Sequence, residues 1–376
     1  MKSRIIKTPE TICESRNGIH NYFAWPSVTR LKDGTLAAVC SGFRIGHLCP
    51  FGKTVIFYSK DEGKSWTAPT PVIDTPLDDR DGGIAVNKNG VTVITSFNNS
   101  VETQNGFSRK CVRTPERQAY IDAYLELMKK TDGEEKYLGS TYVMSNDGYT
   151  FGEIKRIPVT APHGPAPLKD GSFLYVGRYF DDKGINHLGC YKLFENGKYE
   201  FLCEIENITD TENVLSCEPH TVELPDGKII VHIRAQKYES GGSQKLFTLY
   251  QCESTDGGKS FTTPHRILEN DLSGAPAHLL YHSSGVLISV YGCRKSPFGI
   301  HAILSTDGGE SWSEEQILCN NLKSADIGYP ASVELENGDI LTVFYTRESD
   351  DGETKIIREN EKSPSVIQQI IWRIEK

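Results

Sequence analysis

Five arginines occupy equivalent places in this sequence of 376 residues, each at the end of an apolar segment. They are Arg44, Arg178, Arg234, Arg294 and Arg347. One arginine at a strand end is usually a solvated surface charge, whereas five in equivalent places can converge on one site. Because a guanidinium group donates two parallel hydrogen bonds to a carboxylate, such a cluster favours an anionic ligand. The arginines therefore predict a pocket for an acidic group.

Acidic, aromatic and imidazole side chains occur at or near the starts of the apolar segments that precede these arginines. Four of them lie nine residues before a turn glycine: Trp25, Asp81, Glu218 and Tyr329. Histidines occupy neighbouring points of the segments: His163, His220 and His278. Carboxylates and imidazoles beside the arginines are more typical of a binding pocket than of a solvated surface.

Six segments with one shared pattern must position these side chains. Each reads as an apolar strand, a polar turn that ends in glycine, and a second apolar strand. The turn glycines are Gly34, Gly90, Gly171, Gly227, Gly285 and Gly338. They are spaced by 53 to 58 residues, except for one interval of 81. A unit of this size holds about four strands, which is one blade of a β-propeller.

A second motif interleaves with the first and occurs four times. Serine comes first, aspartate follows two residues later, and an aromatic residue ends the motif. The four copies are Ser59 to Trp66, Ser145 to Phe151, Ser254 to Phe261 and Ser305 to Trp312. The aspartate is expected to bind turn amides while the aromatic ring packs beneath the turn, which makes each copy a β-hairpin corner. Four corners indicate a repeat protein.

Together the motifs predict an all-β protein with a six-bladed propeller as a single domain over residues 1–376. A two-sheet sandwich with regular turns is the alternative. The glycine turns and the aspartate corners should lie on one face, and the arginines and strand starts on the opposite face. The apolar tail from Ile367 to Ile374 is expected to close the ring as a final strand, because an open ring would leave exposed edges.

The long interval predicts a helical insertion in the second blade, over about residues 98–139. Thr114 followed by Pro115 and Glu116 is a helix start, and helical spacing of apolar residues continues to about residue 130. Because the insertion joins the second and third strands of its blade, it should lie on the face that carries the arginines. It would form a lid or rim there, or merely pad one side.

Composition narrows the class of protein and its partners. The net charge of −9 argues against a nucleic-acid partner. No apolar run approaches the roughly 20 residues that span a bilayer, and the N-terminus lacks the apolar core of a secretory signal. The ten cysteines form no CxxC pair and are expected to be reduced thiols of the core. These features predict a cytoplasmic protein, unless a leader has been removed; oligomeric state is not indicated.

The corners and the six-fold pattern resemble the sialidase (neuraminidase) superfamily over nearly the whole chain. The segments around Glu218 and Arg234 are similar to those that carry the family's glutamate and second arginine. Arg294 resembles the third arginine, and Gly328-Tyr329-Pro330 resembles the segment that carries the tyrosine. The resemblance implies a retaining glycosidase in which Tyr329 is the nucleophile and Glu218 its base. Sialidases are exceptions to the two-carboxylate scheme of glycoside hydrolysis.

Two departures from the family pattern predict a remodelled pocket. Ala24 stands where the family has its first arginine, and the stretch Phe344-Tyr345-Thr346 lacks the glutamate that braces that arginine. The general acid of the family is also unplaced, and either His47 or Asp81 could serve. Substrate contacts are expected from six residues: Trp25, Arg44, His163, His220, Arg234 and Arg294.

The sequence therefore predicts a hydrolase of an acidic or modified sugar, with two alternatives. One is a lyase, in which tyrosine and histidine would cleave the glycosidic bond of a uronate-containing polysaccharide by elimination. The other is a propeller that binds glycans without catalysis. We expect no cofactor and no metal, because the histidines are scattered and neither a phosphate loop nor a dinucleotide fingerprint is present.

Overall fold

A computed structural model describes residues 1–15, 18–108, 114–179, 187–210, 214–238, 244–269, 273–348 and 364–375. These residues are mostly strands, which form five sheets in a β-propeller arrangement. The prediction of an all-β propeller is confirmed.

Four of the sheets are separate, and each uses consecutive strands of the chain. We name them by their residue ranges. The 80–157 sheet contains Arg80–Val86, Thr92–Phe97, Ser140–Ser145 and Lys155–Ile157. The 159–205 sheet contains Val159–Thr160, Ala166–Pro167, Phe173–Tyr179, Leu188–Leu193 and Tyr199–Ile205. The 215–266 sheet contains Leu215–Glu223, Ile229–Tyr238, Gln244–Ser254 and His265–Arg266. The 273–319 sheet contains Ser273–Tyr281, Leu287–Cys293, Gly299–Ser305 and Gln316–Cys319.

The fifth sheet has eight strands and contains both ends of the chain. One run of four is Tyr22–Arg30, Leu36–Arg44, Lys53–Ser59 and Thr70–Ile73. The other run is Gly328–Glu334, Ile340–Arg347, Ser365–Glu375 and Lys2–Cys13. One parallel residue pair, Tyr22 with Ser365, joins the two runs. The C-terminal tail is thus a strand, but the N-terminal strand lies outside it, so the last run is built from both termini.

The first strands of the repeated units surround a central cavity of about 270 Å³. Contacts between turns show which elements share a face. Tyr149 of one aspartate corner donates a hydrogen bond of 2.7 Å to Asp33 of a glycine turn, and the amide of Glu336 in another turn donates to Glu62 of a corner at 2.9 Å. Glycine turns and aspartate corners therefore lie together, as their connectivity predicts.

The insertion joins the second and third strands of the 80–157 sheet and contains three helices. They are α1 (Val101–Ser108), α2 (Pro115–Met128) and α3 (Gly133–Tyr137). The hydroxyl of Thr114 accepts a hydrogen bond from the Arg117 amide, as expected of an N-cap. Buried Ile121 and Leu125 pack α2 against Ile45 and Phe51, in the loop that follows Arg44. None of the described helices is long and apolar enough to span a bilayer.

The cysteines of the described part of the chain carry free thiols. There are nine of them, and eight are buried, as the sequence predicts for thiols of the core. The tenth, Cys111, lies outside the described residues.

Candidate functional site

Four side chains of the candidate site project from β-bulges in the first strands. Trp25, Asp81, Glu218 and Tyr329 have positive φ angles of 57°, 47°, 50° and 49°. At each point the strand register shifts by one extra residue against the neighbouring strand. Positive φ is uncommon for such residues, and bulges of this kind re-aim side chains next to functional sites. These are the four residues that lie nine positions before a turn glycine.

Tyr329, Glu218 and Arg234 form a hydrogen-bonded triad. The Tyr329 hydroxyl donates to Glu218 Oε1 at 2.6 Å, and Arg234 Nη1 donates to the other carboxylate oxygen. Arg234 Nη1 also lies 3.3 Å from the phenol oxygen, and its Nη2 donates to Gln236 at 2.5 Å. The triad brings together a phenol from the eight-stranded sheet and a carboxylate and a guanidinium group from two neighbouring strands of the 215–266 sheet.

The electrostatics of the triad leave the proton on the tyrosine. Burial opposes ionisation of Glu218, but the Arg234 charge and the Tyr329 hydrogen bond outweigh it, so the pKa of Glu218 lies below its usual value. Burial, followed by the nearby Glu218 charge, raises the pKa of Tyr329 well above its usual value. An ionised carboxylate is therefore in position to accept a proton from the phenol.

Asp81 is a carboxyl group without a hydrogen-bond partner among the described residues. It is 7% exposed, and its Oδ1 is buried and unpartnered. Burial raises the pKa of Asp81 to about 7, because the opposing charge of Arg80 does not offset burial and the Glu218 charge adds to it. Asp81 lines a cavity of about 120 Å³ together with Glu218 and Arg234. A carboxyl group with this pKa can donate a proton near neutral pH.

Arg294 keeps one edge available beside the tyrosine. Its Nε and Nη2 atoms donate to the Ile327 carbonyl at 3.1 and 3.0 Å, and Nη2 lies 3.3 Å from the Tyr345 hydroxyl. Its guanidinium carbon is 5.8 Å from the centroid of the Tyr329 ring. Among the described residues, no partner contacts its Nη1 atom, so this group can face a ligand.

Arg44, in contrast, has its donors occupied by the protein. It is fully buried, and Nη1 and Nη2 both bind the carboxylate of Asp78. The remaining N–H groups donate to Ser41 Oγ and to the carbonyls of Gly46 and His47. We infer that Arg44 stabilises the loop after its strand rather than binding substrate. Asp78 and Arg44 are 34 positions apart, so no local pattern in the sequence pairs them.

Trp25 forms the floor of the site. It is 1% exposed, and the guanidinium carbons of Arg44 and Arg80 lie 4.8 and 4.2 Å from its ring centroid. Its ring is 6.3 Å from that of Tyr329. Since the Trp25 ring is almost completely buried, we infer that it supports Tyr329 rather than stacking on a sugar.

His220 and His278 line the central cavity, and His163 lies beside them. The rings of His220 and His278 stack at 4.2 Å, and His163 lies 5.6 and 5.3 Å from them. Leu279 donates its amide to His220 Nδ1 at 2.9 Å. Burial lowers the pKa of all three histidines, which are therefore neutral. We infer that His163 and His220 shape the channel wall rather than contact substrate.

His47 belongs to a polar network that the sequence did not indicate. Its Nδ1 lies 3.2 Å from Asp326 Oδ1 and 2.9 Å from the Tyr22 hydroxyl. Tyr345 also donates to Asp326, at 2.9 Å. Burial lowers the pKa of His47 although Asp326 opposes this, so the imidazole is neutral near pH 7.

A signal for part of this network is present in the sequence. Tyr22, Asp78 and Asp326 each lie three residues before a bulge residue, namely Trp25, Asp81 and Tyr329. Extending the alignment on the turn glycines by three residues would have found them. Among the described residues, no group of three or more His, Cys, Asp or Glu side chains could hold a metal ion.

Comparisons with known proteins identify the fold but no family. No protein-family model matches the chain, and no curated protein matches it in sequence. A protein of unknown function from Dyadobacter fermentans is similar in structure, with a TM-score of 0.73 and 20% identity over 99% of both chains. The NanB sialidase from Streptococcus pneumoniae matches with a TM-score of 0.64 and 14% identity, over 97% of this chain and 70% of that one.

The intramolecular trans-sialidase from Ruminococcus gnavus is a further similar structure. It matches with a TM-score of 0.62 and 12% identity over 95% of both chains. The structural similarity establishes a sialidase-like propeller fold. At identities this low, substrate and mechanism must be argued from the site itself.

Proposed function

We propose that this protein is a retaining glycoside hydrolase of the sialidase type that acts on an acidic or modified sugar. The observation that carries the proposal is the triad, in which the Tyr329 hydroxyl donates to Glu218 at 2.6 Å and Arg234 binds the same carboxylate. A neutral phenol suits an anomeric carbon that bears or neighbours a carboxylate, because the attack meets no charge repulsion. Arg234 and Arg294 supply positive charge for the acidic sugar.

The fold side of the proposal is a six-bladed ring within the sialidase superfamily. The eight-stranded sheet counts as two blades, because a single residue pair joins its two runs. With the four separate sheets, this gives six units around the central cavity. The turn glycines support the same count.

The proposed reaction has two steps. In the first, the Tyr329 oxygen attacks the anomeric carbon and its proton passes to Glu218 Oε1, while Asp81 protonates the leaving glycosidic oxygen. In the second, Asp81 removes a proton from water, which attacks the same carbon and breaks its bond to Tyr329. Glu218 returns the proton to the phenol oxygen, and each group regains its starting state.

Asp81 is a better general acid than His47 on physical grounds. The carboxyl of Asp81 has a pKa of about 7 and no hydrogen-bond partner in the described part of the chain, so its proton can be donated. His47 is neutral, and its Nδ1 atom is engaged by Asp326 and Tyr22. A neutral imidazole is a weaker acid than a carboxyl group with this pKa.

One observation favours a second candidate, a lyase acting on uronate polysaccharides. Asp326 orients His47 through Nδ1, and a neutral imidazole held in this way can accept a proton at its other nitrogen. In this case Tyr329 and His47 would act beside a uronate held by arginines. A propeller that only binds glycans is less well supported, because such a protein does not need a carboxylate behind a buried phenol.

Turnover of a panel of glycosides by the wild type and by Tyr329→Phe tests the proposal. The panel contains a fluorogenic α-sialoside, fluorogenic uronides and a uronate polysaccharide. The variant should lose about 10³-fold or more in turnover of the best glycoside, because the nucleophilic oxygen is absent. Tyr120→Phe removes a hydroxyl from an exposed tyrosine of α2 and should leave turnover unchanged.

The outcomes separate the candidates. Hydrolysis that survives in Tyr329→Phe would contradict the proposed nucleophile. Release of an unsaturated uronate, detected by its ultraviolet absorbance, would establish the lyase instead. If the protein binds members of the panel but turns over none of them, the glycan-binding propeller is the remaining candidate.

A further inference from the structure

A cavity beside the triad has charged walls that the proposed reaction does not explain. It measures about 120 Å³ and lies where the 80–157, 159–205 and 215–266 sheets meet. Its apolar side is formed by Phe97, Pro162 and Leu215, and its polar side includes Arg178. The volume is several times the roughly 30 Å³ that one water molecule occupies in the liquid. It can therefore hold a small substituent of a sugar.

Two buried polar atoms in the walls have no hydrogen-bond partner among the described residues. They are Asp81 Oδ1 and Arg234 Nε, and both residues line this one cavity. A buried polar group without a partner destabilises the folded protein, and such groups in native proteins usually have a hydrogen-bond partner. A donor and a carboxyl group that face the same space indicate a ligand with hydrogen-bonding oxygens.

The charge balance of the cavity shows which kind of oxygen it accepts. The ionised Glu218 is paired with Arg234. The side chain of Arg178, which also lines the cavity, forms no hydrogen bond or ion pair with any residue that the structure describes, so no charge among those residues compensates its own. Burial raises the pKa of Asp81 to about 7, so below that pH this group is mostly uncharged and adds little negative charge to the cavity. The cavity thus has an excess positive charge and favours an anionic group.

We propose that this cavity binds the carboxylate of the substrate sugar between Arg178 and the Nε edge of Arg234. The proposal rests on the proposed function, because it names the substrate class of the same site. The planar guanidinium group of Arg178 can donate two parallel hydrogen bonds to a carboxylate, and Arg234 Nε can donate a third. Protonated Asp81 stands beside this carboxylate without charge repulsion.

This location differs from the one that the remodelled part of the pocket would offer. Fully buried Ala24 packs in one core cluster with Tyr22 and Tyr345, which both donate to Asp326, and the Asp326 carboxylate would repel an anion. The cavity at Arg178 is lined by Glu218, whose Oε1 atom accepts the hydrogen bond from Tyr329. An acid bound there would lie beside the carboxylate that contacts the proposed nucleophile.

Direct binding of sugar acids tests the proposal without requiring turnover. Glucuronate and N-acetylneuraminate are titrated calorimetrically into Tyr329→Phe, with glucose, the methyl ester of glucuronate and glucose 6-sulfate as comparison ligands. Arg178→Ala in the same background should weaken the better sugar acid about 10- to 100-fold, because charge-assisted hydrogen bonds are lost. Arg178→Lys should give a smaller loss, because the charge stays and the paired donors do not.

Arg156→Ala is the matched control, since Arg156 is an exposed arginine on the outer strand of the 80–157 sheet and its removal should leave affinity unchanged. Equal affinity of the Arg178→Ala variant and its parent would overturn the proposal, as would the absence of binding by both sugar acids. Binding of glucose 6-sulfate as tight as that of the sugar acids would overturn the assignment to a carboxylate. If sugar acids bind and their binding depends on Arg178, but the wild type hydrolyses no glycoside, the proposed reaction is rejected and the proposed carboxylate site stands.

Discussion

The Asp81 carboxyl group is deeply buried and has no hydrogen-bond partner among the described residues, which destabilises the folded protein. The usual pKa of its side chain is 3.8, whereas the folded protein holds it at about 7. Well below pH 3.8 the group is protonated in both folded and unfolded chains and has no effect on stability. As the pH rises towards 7 only the unfolded chain releases the proton, so the folded state loses stability; above pH 7 the full penalty remains.

Asp81→Asn should therefore stabilise the protein at high pH. Above pH 7 we expect a gain of about 2–4 kcal/mol in the free energy of unfolding, and little change near pH 4, because asparagine cannot ionise. Denaturant unfolding at a series of pH values measures this difference. The same substitution should lower glycoside turnover, since the proposed acid is lost.

Asp226→Asn makes the same chemical change at an exposed turn and should shift stability by less than about 0.5 kcal/mol at any pH. If Asp81→Asn changed stability equally at pH 4 and pH 8, titration of this carboxyl could not be the cause. Greater stability with lower activity is the pattern expected of a strained catalytic group.

The sequence predicts the site only as far as the repeats align equivalent positions, counted from the turn glycines. Distance to a turn glycine put Asp81, Glu218 and Tyr329 in one register, and the resemblance to sialidases suggested their roles. Distance to a turn glycine could not show that Arg44 and Arg234 have different roles, because the two differ in their hydrogen-bond partners. Asp78 saturates the first, whereas the second keeps Nε unpartnered. Such pairings join distant parts of the chain and have no local signature.

At the scale of elements, the β-bulges are the feature that the sequence did not predict. Strand periodicity predicts alternating side chains, and it contains no sign that a tryptophan or tyrosine will adopt positive φ. The structure places one extra residue at each of these points and gives Trp25, Asp81, Glu218 and Tyr329 positive φ angles. Tertiary packing must hold these strained residues, because their own backbone preferences oppose the conformation.

The insertion helix offers an element whose contribution can be measured separately. Ile121 is fully buried between α2 and the loop that contains His47. Ile121→Ala should reduce the free energy of unfolding by about 2–4 kcal/mol, through lost burial and the cavity left behind. Leu127→Ala, on the exposed side of the same helix, should change it by less than about 0.5 kcal/mol.

Equilibrium denaturation of both variants makes this comparison. Equal, small effects of the two substitutions would show that α2 only pads the surface. A large effect of Ile121→Ala together with lower glycoside turnover would show that the helix supports the loop beside the site. Circular dichroism at low denaturant should confirm that each variant retains its strands.

At the scale of the whole molecule, the ring depends on a sheet built from both termini. The C-terminal strand Ser365–Glu375 pairs with Ile340–Arg347 on one side and with the N-terminal strand on the other. The hydroxyl of Ser365 also donates to the Phe23 carbonyl at 2.7 Å, next to the single parallel pair that joins the two runs. The N-terminal strand covers what would otherwise be a long exposed edge.

Trp372 tests whether this closure is cooperative. It is fully buried in the C-terminal strand, packs with Ile340 and Phe344, and donates from Nε1 to Thr342 at 2.9 Å. Trp372→Ala should cost about 3–5 kcal/mol, whereas Trp372→Phe keeps most of the packing and should cost less. If the ring folds as one unit, denaturant unfolding of the alanine variant should remain a single transition at a lower midpoint. Circular dichroism should report the same midpoint as resistance to proteolysis. Early proteolysis confined to the terminal strands, before the remaining sheets unfold, would mean that the last sheet opens independently and that closure does not stabilise the distant site.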